Sequence, residues 1–312
     1  MLLAPYEILL LLAIGVLVGI SMSFIGQTGQ ALVIPAVLLI TGGNVLLAVT
    51  VNLLNDLLAA VSVSTAYVRH HQYVFHKKLP LFLVIALALS LCGVFLVTTT
   101  TIGSNLGWFL PIIFLIIGIF VLRRGFPTSE SLRITVLNMA KNIAKRSGDQ
   151  AELLDLEEKI RLEKLSTDAP IESEIKGVIP ESSKVFYIIL SCFAVGIGLN
   201  SGLTGANSGI LFSLFMILVM GYPLKKGVGT ALLLSIAMCV FTFTAYQVLG
   251  IAIEGHVFFN VEITLLLALG SVPSGFITSH YIQRLSAKRM GRGMAIIMIL
   301  LSTITLVIFF TR

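Results

Sequence analysis

Two five-residue stretches, Gly26-Gln27-Thr28-Gly29-Gln30 and Gly205-Ala206-Asn207-Ser208-Gly209, interrupt apolar sequence with glycines and small polar side chains. Glycine lets a backbone turn sharply and approach a ligand closely. A short apolar segment follows each stretch, so the N-terminus of the helix it forms points back at the loop. That end carries about half a positive charge and several unpaired amides. Backbone that is not helical cannot face lipid, because every unpaired amide is costly there; the loops must be buried in protein or line a wet cavity. Two such ends brought together suit a small anion, and no Lys or Arg lies in the middle of an apolar segment to share the task. On this reading Gly26, Gln27, Thr28, Gly29, Gln30, Gly205, Asn207, Ser208 and Gly209 form the substrate site. The competing reading is that the glycines only let helices pack closely.

A second candidate for chemistry is Asp56, which falls in the middle of an apolar segment beside Asn52 and Asn55. A carboxylate inside a membrane is expensive and points to proton coupling or a polar pathway. A neutral Asp hydrogen-bonded to a neighbouring helix is the alternative. The other carboxylates outside the central polar stretch, Glu7, Glu254 and Glu262, fall near a terminus or in an outer loop. Asp56 therefore has no intramembrane carboxylate partner, which argues against an intramembrane aspartyl protease, and the chain has no H-E-x-x-H motif. Cys92, Cys192 and Cys239 sit in apolar segments at spacings that fit neither zinc nor a disulfide framework, and are expected to be buried small hydrophobes. No catalysis, cofactor or metal is expected.

The elements that must position these residues are membrane helices. The 312-residue chain is 57% apolar and only 12% charged, which makes lipid its main solvent. Five apolar segments, about Tyr6–Phe24, Ala31–Thr41, Val45–Val68, Leu79–Thr99 and Leu106–Leu122, occupy residues 1–124. Five more, about Val185–Leu203, Ile210–Gly221, Leu224–Leu249, Val261–Ile282 and Met294–Phe310, occupy residues 184–312. In each set the second segment has near 11 residues, enough for a helix of only about 17 Å and too short to cross a bilayer. It is expected to be a half-helix. The first segment lacks both a basic flank and an A-x-A cleavage site, so it is expected to be retained.

Sliding the first set by 179 positions places Gly19 on Gly198, Gly26 on Gly205, Gly42 on Gly221 and Thr65-Ala66-Tyr67 on Thr244-Ala245-Tyr246. The two sets therefore read as repeats of one unit. Their basic loops are reversed. In the first set Arg69, Lys77 and Lys78 follow segment three, whereas in the second Lys225 and Lys226 precede it and Arg284, Lys288, Arg289 and Arg292 follow segment four. Since short cytoplasmic loops collect Lys and Arg, the expected fold is an all-α integral membrane protein of two inverted-topology repeats. Both termini are then outside the cell membrane, and all Lys and Arg except Arg312 are cytoplasmic. The net charge of +6 is explained by topology, so no nucleic-acid partner is expected; a small anion and the bilayer are.

Residues 125–183 form a cytoplasmic insert on this topology, holding every acidic residue except Glu7, Asp56, Glu254 and Glu262. Leu132, Val136, Ala140 and Ile143 recur at helical spacing beside Lys141, Lys145 and Arg146, which suits a helix on an anionic membrane surface. A second helix is expected over about Glu152–Leu165, with Glu157 four residues before Arg161.

The chain resembles the sulfite exporter TauE/SafE permeases. The likeness rests on a glycine-rich loop in each repeat, a short apolar stretch with Pro35 in the first, and helices opening with Ala48-Val49-Thr50 and Val228-Gly229-Thr230. Gln27, Thr28 and Gln30 stand where that family usually has glycine. The resemblance implies transport of sulfur-containing anions such as sulfite or sulfonates and adds Thr230 to the substrate site. A channel and a carrier share such loops, so the residues leave both open.

Overall fold

The computed structural model describes residues 3–26, 30–99, 184–205, 209–255 and 257–286, with isolated helical positions elsewhere, among them Leu115, Ile119, Lys141, Lys145, Leu154 and much of 289–307. Every regular element among the described residues is helical. They are α1 (Pro5–Ile25), α2 (Gln30–Ile40), α3 (Val45–Arg69), α4 (Leu79–Thr99), α5 (Lys184–Thr204), α6 (Gly209–Leu214), α7 (Leu224–Glu254) and α8 (Val261–Ile282), with Phe215–Val219 continuing α6 as a π-helical turn.

Local chemistry sets the helix ends. Pro5 starts α1, where its missing N–H costs nothing, and the Glu7 carboxylate accepts from the Ala4 N–H at 2.8 Å. Asn44 and Asn260 cap α3 and α8, each side chain accepting from the backbone N–H three residues on at 3.0 Å. Gly42 and Gly221 stop the two short helices with nearly identical left-handed φ angles of 70° and 71°.

Six helices, all but α2 and α6, are long and apolar enough to cross a membrane, so the chain is a multi-pass membrane protein. Leu9, Leu269 and Ile277 are 68%, 65% and 68% exposed, which only a lipid-facing surface tolerates in such numbers. Cys92 and Cys192 share that exposed surface, and only Cys239 is buried. The expectation that all three are buried fails for two of them, because in lipid an apolar helix is as apolar outside as inside. The segment at Leu106–Leu122 lies outside the described residues apart from Leu115 and Ile119, which are helical. In the insert, Lys141 pairs with Glu157 at 2.6 Å.

The helices α3 and α7 are the most buried spans and pack on each other at the centre. They run antiparallel. The connection after α3 reaches the start of α7, where the Val74 N–H donates to Thr230 Oγ1 at 2.9 Å; the connection after α7 reaches the start of α3, where Thr50 Oγ1 donates to the Phe258 carbonyl. Outside this pair, α1 packs on α8 and α4 on α5. Both contacts are backbone to backbone: a Cβ added at Gly19 would lie 2.3 Å from the Ser271 carbonyl, and one at Gly202 would lie 2.2 Å from that of Ser90. Without a hydrophobic drive between helices in lipid, such close approach is what holds them.

Candidate functional site

The site is built where α1 and α5 end. Gly26 closes α1 with φ 67° and its N–H on the Met22 carbonyl at 2.8 Å. Gly205 closes α5 with φ 61° and its N–H on the Ser201 carbonyl at 3.0 Å. Both are buried, and each rests on a valine of the opposite central helix: Val228 of α7 beneath Gly26, Val49 of α3 beneath Gly205. The second loop returns at Gly209, where an added Cβ would lie 1.7 Å from the Gly26 carbonyl oxygen. The two loops thus meet backbone to backbone, and only glycine fits at the crossing.

Around the crossing the protein places small polar groups and no cation. Asn52 Nδ2 donates both to the Gly205 carbonyl and to Asp56 Oδ2, each at 3.1 Å. Asn55 Oδ1 accepts from Ser271 Oγ at 2.8 Å. Ser213 Oγ stands 3.4 Å from the Cβ position of Gly26, and Ser235 Oγ 3.0 Å from that of Gly209. Asn52, Asn55, Asp56, Ser213 and Ser235 are all fully buried, and no Lys or Arg is buried among the described residues. Three atoms of this group, Asn52 Oδ1, Asn55 Nδ2 and Ser235 Oγ, have no hydrogen-bond partner among the described residues. Leaving a buried polar group unsatisfied costs roughly 1–3 kcal/mol. Asn52 and Asn55 lie one turn apart on α3, and Ser235 stands beside Gly209.

Of the residues expected from sequence, the structure brings Gly26, Gly205 and Gly209 together; Gln30 opens α2. Gln27, Thr28, Gly29, Asn207 and Ser208 lie outside the described residues. Thr230 has a bracing position: its hydroxyl accepts from Val74 and donates to the Lys226 carbonyl at 2.8 Å, which fastens the connection after α3 to α7. Asp56 is hydrogen-bonded to Asn52 of its own helix, four residues away. Ser235 and Ser213 were not singled out by sequence. One signal for Ser235 existed, since it stands 179 positions after Asp56.

Ser235 Oγ and Asn55 Nδ2 are neutral donors of the kind a small oxyanion accepts from, whereas Asn52 Oδ1 is an acceptor. The family model described as Sulfite exporter TauE/SafE matches residues 11–305. The chain belongs to the sulfite exporter TauE/SafE family. No curated protein and no solved structure matches it. The match spans nearly the whole chain, so every residue of the TauE/SafE loop crossing, from Gly26 to Ser235, lies inside it.

Proposed function

We propose that this TauE/SafE protein is a secondary transporter of small sulfur-containing anions, sulfite or sulfonates, bound between the loops at 26–30 and 205–209. The observation that carries the reading is the buried crossing of Gly26 and Gly209, with the unpartnered Ser235 Oγ beside it and no buried Lys or Arg among the described residues. Neutral donors can bind an anion firmly enough to admit it and weakly enough to release it. Asp56, paired with Asn52 against the Gly205 carbonyl, is the group proposed to couple proton movement to transport.

Two inverted repeats give the crossing its place in the membrane on this reading. Support comes from register: α1 and α5 begin at 5 and 184, α2 and α6 at 30 and 209, α3 and α7 at 45 and 224, each pair 179 positions apart. The antiparallel run of α3 and α7 supports the inversion. The insert at 125–183 is then cytoplasmic and both termini are outside. Single cysteines at Thr101 and Gly255 are expected to label from outside, and those at Gln72, Ser147 and Ala287 only from inside; labelling of Gln72 and Gly255 from one face removes the inversion.

The function is tested by flux. Purified protein in proteoliposomes is expected to move sulfite or a small sulfonate with saturation and with counterflow against unlabelled anion. Flux that grows linearly with concentration and shows no counterflow means a channel, and no flux of sulfite, sulfate, thiosulfate or methanesulfonate removes the reading.

A further inference from the structure

The two loops cross in one framework but meet unequal surroundings. At matched register on the central helices, Asn52 of α3 corresponds to Ala231 of α7, Asn55 to Leu234, and Asp56 to Ser235. The first loop, at Gly26, has Ser213 Oγ 3.4 Å and the apolar Leu232 and Val228 each 3.7 Å from its Cβ position. The second loop is flanked by polar groups at both described ends: Asn52 Nδ2 holds the Gly205 carbonyl, and Ser235 Oγ stands beside Gly209. The Gly205 carbonyl is an acceptor that would repel an anion, and Asn52 occupies it. Ser235 Oγ is different. It is fully buried, has no hydrogen-bond partner among the described residues, and sits on the helix face turned to the crossing.

Other buried hydroxyls of the central region are satisfied. Ser90 Oγ bonds Thr242 Oγ1 at 2.8 Å, Ser23 Oγ donates to the Gly275 carbonyl at 3.0 Å, and Thr50 Oγ1 to that of Phe258. A serine in a helix ordinarily returns its proton to the carbonyl three or four residues back, as Ser23 and Thr204 do. Ser235 makes no such bond although the option is local and close. Its proton is therefore free to donate into the crossing.

We infer that Ser235 is a substrate-binding residue: its hydroxyl donates to an oxygen of the bound oxyanion beside Gly209, while Asn52 is a positioning residue that turns the Gly205 carbonyl away from the anion. This rests on the anion-transport reading above and deepens it by assigning the oxyanion to one side of the crossing. A neutral hydroxyl bonded to an anion contributes a charge-assisted hydrogen bond, stronger than a neutral one.

The test compares Ser235→Ala with Ser90→Ala, using sulfite, sulfate and methanesulfonate as probes on purified protein. Thermal unfolding without anion reads stability, and titration reads affinity. Ser235→Ala is expected to unfold no lower than wild type, because it removes a buried unsatisfied hydroxyl, yet to bind the wild type's preferred probe roughly tenfold to a hundredfold more weakly. Ser90→Ala, which breaks a satisfied pair outside the loops, is expected to unfold at lower temperature with affinity unchanged. An unchanged affinity in Ser235→Ala, with wild type binding normally, overturns the role of Ser235 and leaves the transport reading standing. Loss of stability in Ser235→Ala matched by no loss of affinity overturns it as well, since the hydroxyl is then structural. A wild type that binds none of the three probes sinks the transport reading, and the role of Ser235 with it.

Discussion

The central helices α3 and α7 share their backbone plan and differ in their chemistry. Tyr67 on α3 donates its hydroxyl to the Ser23 carbonyl, and Tyr246 on α7 donates to that of Gly202; donor and acceptor are 44 residues apart in each case, and both pairs are 179 positions from each other. Gly26 on Val228 and Gly205 on Val49 repeat the same relation. Yet Asn52, Asn55 and Asp56 on one helix stand against Ala231, Leu234 and Ser235 on the other. The tyrosines and valines are the same on both helices, whereas the polar positions near the middle of α3 have apolar or smaller counterparts on α7. On the proposed reading, this difference lets the anion bind against one of the two helices only.

The largest effect should come at the crossing. Gly209→Ala places a Cβ 1.7 Å from the Gly26 carbonyl, and backbone cannot yield there as a side chain would, so purified variant is expected to lose sulfite transport outright. The two loop glycines should then differ although both have positive φ. At Gly26 the nearest atom to an added Cβ is 3.4 Å away, but at Gly205 Val49 Cγ1 is at 2.2 Å. Gly26→Ala thus carries only backbone strain of about 1–2 kcal/mol, while Gly205→Ala adds a clash. Gly205→Ala should unfold at clearly lower temperature than Gly26→Ala, and Val49→Ala should restore part of the loss. Equal unfolding temperatures for the two glycine variants would mean that the halves are more alike than their contacts indicate.

Asp56→Asn comes next, because the amide matches the carboxyl in volume and still reaches Asn52 but cannot exchange a proton. Expression is expected to hold while proton-linked transport falls about tenfold or more. Full pH-dependent activity in the variant assigns Asp56 to structure.

The smallest effects should fall on the shared framework. Tyr67→Phe and Tyr246→Phe each delete one buried hydrogen bond to a helix carbonyl, a loss of about 0.5–1.5 kcal/mol. Both variants should lower thermal stability by similar amounts and leave anion affinity alone. A large affinity loss in one of them would place its tyrosine in the site instead of the frame.

Much of this plan is written in the chain. Gly26, Gly42, Gly205 and Gly221 mark it because a left-handed turn narrows the choice of residue almost to one, and the short length of α2 betrays a helix that cannot cross. Helix partners are not written in the same way. Gly15 and Gly19 announce close packing, but nothing in them says that α8 is the neighbour, since small residues make a surface that many helices fit. The π-helical turn at Phe215–Val219 follows from no residue type in that apolar run. Ser235 was hidden for another reason. Serine is ordinary in membrane helices, and what sets this one apart is a bond it does not make, which exists only in three dimensions. Thr230 shows the converse, a motif residue whose hydroxyl the fold uses to fasten a connection.

On the proposed reading the anion sits at the crossing of the two loops, beside Ser235. Selenite has the shape and charge of sulfite, and selenium scatters X-rays anomalously, so crystals grown with selenite locate the site directly. One anomalous peak is expected beside Gly209 within hydrogen-bond reach of Ser235 Oγ, displaced by added sulfite. A sulfite-displaceable peak elsewhere in the molecule, with none at the crossing, would contradict it.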